Sequence, residues 1–60
     1  MEQRILEALS QEYQATNVIA LKTGINWYKT EFLLEKLLLK GVVEKIRLGK
    51  GIFWKKKNED

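Results

Sequence analysis

Cysteine, histidine and proline are all absent from this 60-residue chain. Without cysteine no disulfide can form, and without either residue the usual zinc spacings cannot be written. The lack of cysteine fits a reducing compartment. No apolar run approaches the roughly 20 residues that a bilayer-spanning helix needs. Leu37-Leu38-Leu39 is typical of the runs present. Met1-Glu2-Gln3-Arg4 has no basic stretch leading into an apolar one, so no secretory signal is read there. A soluble, cytoplasmic protein is expected, and Met1 mildly favours a complete one.

Catalytic groups are scarce too. The only serine is Ser10, and the carboxylates (Glu2, Glu7, Glu12, Glu31, Glu35, Glu44, Glu59 and Asp60) are spread over surface and tail positions. Glu31 and Glu35 stand one helical turn apart, but a metal or acid/base pair there would lack a third ligand. Gly49-Lys50-Gly51 has neither the spacing nor the following helix of a nucleotide-binding loop. Neither an enzyme nor a cofactor is expected.

What the chain does have is apolar content of 45%, enough for a core but a thin one at this length. A homodimer or partner is the expected extra support. Net charge is +3 and unevenly spread. Over residues 45–57 come Lys45, Arg47, Lys50, Lys55, Lys56 and Lys57 with no acid between them, while Glu2, Glu7 and Glu12 outnumber Arg4 near the start. The asymmetry points to a polyanionic partner, or else to a strand edge kept soluble by lysines.

Ile5, Leu6 and Leu9 follow helical spacing, with Met1 or Glu2 one turn earlier, predicting a first helix over about residues 2–11. Tyr13-Gln14-Ala15 suits a brief strand. Thr16 or Asn17 can cap a second helix whose apolar positions are Val18, Ile19 and Leu21, and Gly24 stops it. Asn26 caps a third helix running to about Lys40, which Gly41 ends. The period then changes. Val42-Val43 opens a strand with Glu44, Ile46 and Leu48 on one face and Lys45 and Arg47 on the other. Gly49-Lys50-Gly51 makes the turn, Ile52, Phe53 and Trp54 return, and the residues from Lys55 onward form a charged tail. Two helices joined by a short glycine turn are a helix-turn-helix signature.

Ala15-Thr16-Asn17-Val18-Ile19-Ala20-Leu21-Lys22-Thr23-Gly24-Ile25-Asn26, then Thr30, Leu34, Leu37 and Lys40-Gly41-Val42-Val43-Glu44, resembles the winged helix-turn-helix superfamily of DNA-binding regulators. The resemblance covers nearly the whole chain. It implies an α+β fold: three helices and a C-terminal β-hairpin wing over residues 1–57, with 58–60 a frayed tail. It also implies sequence-specific double-stranded DNA binding by a transcriptional regulator, with the third helix in the major groove and the wing on the backbone.

Stepping about 100° per residue, Thr30, Leu33, Leu34, Leu37 and Leu38 gather on one side of the third helix as its core face. Tyr28, Phe32, Glu35 and Leu39 gather opposite, flanked by Lys29 and Lys36. At the start of that helix the candidates for DNA are Asn26, Trp27, Tyr28, Lys29 and Phe32, with Lys36 alongside. Each has a plainer role open to it: Asn26 as a cap, Trp27 as core cover, Lys29 and Lys36 as solvated charges. Lys45, Arg47 and Lys50 of the hairpin are candidates for phosphate. Trp54 shares a face with Ile52 and should pack over the core rather than stack on bases. The outward face of the third helix is unusually apolar and acidic for a DNA reader. Tyr28, Phe32, Leu38 and Leu39 therefore also suggest a homodimer or protein partner, and with it an alternative function as an interaction module of a replication or transcription complex.

Overall fold

The computed structural model describes residues 2–57. Along the chain come α1 (Glu2–Ala8), β1 (Gln14–Ala15), α2 (Thr16–Thr23), α3 (Trp27–Leu39), β2 (Val43–Leu48) and β3 (Gly51–Lys56). The strands form one antiparallel sheet in the order β1-β3-β2. The fold is thus α+β, three helices with a three-stranded sheet. Met1 and the expected frayed tail at 58–60 lie outside the described residues.

Local chemistry sets most of the boundaries. α1 is shorter than predicted, ending at Ala8, and just beyond it the Ser10 hydroxyl accepts from the Glu12 N–H at 3.1 Å. Such a side-chain bond competes with helix continuation. Gly24 closes α2 at φ 75°, a left-handed angle open to glycine. Asn26 then opens α3 as predicted, its Oδ1 accepting from the Lys29 N–H at 2.8 Å. At the other end Gly41, at φ 78°, donates to the Leu38 carbonyl while Val42 donates to that of Leu37. These paired bonds satisfy two of the last helical carbonyls and turn the chain sharply into β2.

The core comprises Ile5, Leu9, Ile19, Ile25, Leu33, Leu34, Leu37, Val43 and Trp54. α3 buries the face that its spacing predicted, and Trp54 packs at the centre with none of its surface exposed. α2 behaves differently. Val18 and Leu21, expected to be inward, are exposed, Leu21 by 82%. The buried stripe of α2 is Thr16, Ile19 and Thr23, three and four residues apart on one face. Its hydroxyls are satisfied: Thr23 donates to the Ile19 carbonyl at 3.0 Å, and Thr16 accepts from the Trp54 indole N–H at 2.8 Å. Neither Thr16 nor Asn17, the two caps expected, caps α2, because both lie inside the helix. The N-cap position is Ala15, without a side-chain cap bond.

Two corrections concern the hairpin. β3 continues through Lys56, so Lys55 and Lys56 belong to the sheet rather than to a tail. The Lys56 N–H donates to the Ser10 carbonyl at 2.9 Å, which ties the strand to the end of α1. The register also pairs Lys45 with Trp54 and Arg47 with Ile52. Directly opposed residues of an antiparallel ladder share a face. The basic face of β2 is consequently the helix-facing one, and Ile46 and Leu48 lie on the outer face with Phe53.

Candidate nucleic-acid interface

The hairpin runs beside α3 and reaches toward its first turn. Midway, the Lys45 ammonium meets Glu35 Oε2 at 2.7 Å and sits 5.3 Å from the centre of the Trp54 ring. At the tip, Lys50, Gly51 and Ile52 form a cleft of about 320 Å³ with Trp27 of α3 and with Ala15, Thr16 and Asn17 where β1 meets α2. A second, open groove of about 550 Å³ lies between α2 and the start of α3, lined by Ala20, Leu21, Gly24, Ile25 and Asn26 as well as Asn17 and Trp27. Asn17 and Trp27 thus border both depressions. Sequence reasoning missed this role of Asn17, because a polar residue at a helix start is read first as a cap.

The residues singled out from the sequence divide into three groups. Asn26 has its side-chain oxygen engaged in the cap of α3, leaving its amide nitrogen for other partners. Trp27 is exposed, and its ring meets that of Tyr28 edge-on at 5.3 Å. Tyr28 itself is exposed by 80%. Lys29, Arg47 and Lys50 are exposed and form no ion pair among the described residues. These six residues lie at the first turn of α3 or toward the hairpin tip.

The second group is committed elsewhere. Lys45 is paired with Glu35, as above, so it is drawn toward α3. Lys36 lies 3.9 Å from Glu2 and 5.6 Å from the centre of the Phe32 ring. Glu2 also holds Lys40 at 2.8 Å, and this lysine bond keeps the Glu2 carboxyl below the usual glutamate range.

The third group is the outward stripe of α3. Phe32 is exposed by 63% and Leu39 by 89%, with Tyr28 on the same side, whereas Leu38 is partly buried against the core. Of the two carboxylates near this stripe, Glu35 is neutralised by Lys45. The repulsion that an acidic α3 would exert on phosphate is reduced accordingly.

On the outer face of the sheet, the Tyr13 hydroxyl donates to Glu44 at 3.3 Å and Lys55 lies 5.0 Å from the centre of the Tyr13 ring. Burial and the nearby Glu44 carboxylate raise the Tyr13 pKa. Among the described residues no group of three or more acidic side chains is placed to hold a metal ion. Nor is any described helix long and apolar enough to cross a membrane. No family model, curated protein or solved structure matches this chain.

Proposed function

We propose that the chain is a winged helix-turn-helix regulator that binds duplex DNA with sequence preference and performs no chemistry of its own. The start of α3 enters the major groove, and the β2–β3 hairpin serves as a wing along the backbone. One observation carries this reading. The first turn of α3 and the hairpin tip meet at the same end of the molecule, and Lys29, Arg47 and Lys50 lack internal ion-pair partners among the described residues. Cations held this way can neutralise phosphates and release counterions, which gives affinity, while Asn26, Tyr28 and Lys29 supply groups that can reach base edges.

A titration with duplex DNA across a range of salt concentrations tests it. Affinity should fall steeply as salt rises, and the variant R47Q/K50Q should flatten the slope of log affinity against log salt by about 1.8. A Lys29→Ala variant should change which sequences are preferred. Absence of binding at low salt, or binding indifferent to salt, refutes the reading.

The exposed Tyr28, Phe32 and Leu39 favour a second reading, a protein-interaction module or homodimer that uses the outward stripe of α3. That reading gains if DNA leaves the amide signals of the hairpin and of the first turn of α3 unmoved.

A further inference from the structure

The cleft at the hairpin tip brings three different chemistries into one concavity. Trp27, a residue 40% exposed, contributes an indole. Asn17, in the first turn of α2, contributes a carboxamide that makes no hydrogen bond among the described residues. Lys50 contributes an ammonium without a carboxylate partner among them. The remaining walls are small or apolar.

Nearby polar side chains are mostly spoken for. Thr16 is bonded to Trp54, the Asn26 oxygen caps α3, and Lys45 and Glu35 hold each other. Asn17 and Lys50 stand out because no side chain among the described residues bonds to theirs. An aromatic wall, a two-way hydrogen-bonding amide and a cation together suit a nucleotide: the indole for the base face, the amide for the base edge, the ammonium for the phosphate.

The size narrows the ligand further. A cleft of about 320 Å³ is at the lower end of the range of about 300–1,000 Å³ over which small-molecule sites are found. It suits one nucleotide rather than a run of them. A base inside a paired duplex already stacks on both faces and cannot offer one to Trp27, so the nucleotide has to be unpaired.

We infer that this cleft receives a single unpaired nucleotide, bulged or flipped from the duplex, and that the protein prefers DNA bearing one over fully paired DNA. The inference rests on the DNA-binding reading above and adds to it the class of DNA preferred.

The test compares a blunt, mixed-sequence duplex with the same duplex carrying one bulged adenine, using fluorescence anisotropy. The ratio of the two affinities is the readout. For the parent protein the bulged duplex should bind roughly tenfold tighter, as expected for one base stacked on an aromatic ring. Trp27→Ala should bring the ratio close to unity, and Trp27→Phe, which keeps an aromatic face, should retain most of it. If Trp27→Ala fails to fold by circular dichroism, Asn17→Ala alters only an exposed side chain and must still shrink the ratio.

A parent ratio near unity overturns the inference and leaves ordinary duplex binding standing. So does a ratio that survives both Trp27→Ala and Asn17→Ala, because the preference then reflects only the flexibility of bulged DNA. Failure to bind either duplex overturns the DNA-binding reading itself.

Discussion

Thr16 shows how magnitudes decide between two roles open to one side chain. Its hydroxyl stands at the start of α2, where a cap is worth about 1 kcal/mol. It also stands 2.8 Å from the indole N–H of a fully buried tryptophan. A buried donor left unpaired costs about 1–3 kcal/mol, which favours the indole as the partner of this hydroxyl, while the N-cap position itself falls to Ala15. The sequence offers the first role and hides the second, because Trp54 lies 38 positions away. Thr16→Val keeps the shape but removes the acceptor, and should lower stability by about 1–3 kcal/mol. Thr16→Ser should lose much less. Urea unfolding reads both, as a shifted midpoint at constant slope. An unchanged midpoint for Thr16→Val would mean that the indole finds another partner. Thr23 and Thr30 follow the same pattern, buried but bonded to backbone carbonyls. A search for apolar letters alone passes over all three.

Some turns and caps were legible because their chemistry is local, although the end of α1 and the cap of α2 were not. Gly24, Asn26 and Gly41 mark the boundaries of α2 and α3 because left-handed backbone and side-chain capping depend on only a few neighbouring residues. The faces of β2 were legible only in part. Alternation sorts Lys45 and Arg47 from Ile46 and Leu48 but does not say which set faces the helices. That is fixed by pairing across the hairpin, where Lys45 lies opposite Trp54. An ammonium on the core side survives because Glu35 and the indole ring receive it at the margin of α3. The pair is partly exposed, and a double-mutant cycle of Lys45→Met and Glu35→Gln should give a coupling of about 0.2–1 kcal/mol in unfolding experiments. The doubly substituted protein removes one charge of each sign. Its affinity for DNA should therefore stay near that of the parent, unlike R47Q/K50Q. A large loss would mean that Lys45 leaves Glu35 to contact phosphate.

Across the molecule as a whole, the uneven charge was plain from composition, but not which cations remain available. Glu2 engages Lys36 and Lys40, joining α1 to the carboxyl-terminal half of α3. Its carboxyl is held below the ordinary range chiefly by the Lys40 hydrogen bond. A lowered folded value means that the contribution is present at neutral pH and fades with acid. The stability gap between the parent and Glu2→Gln should accordingly close as pH drops below 4.5. Unfolding midpoints at several pH values check this, and a gap that widens with acid would contradict it. The sheet carries a final consequence. β2 is a terminal strand with one side unpaired, a surface on which another chain can extend the ladder. Sliding two copies of β2 together antiparallel opposes Lys45 to Lys45 in one well-overlapped register and to Arg47 in another. In those two registers like charge meets like charge, which counts against two such molecules zipping up edge to edge.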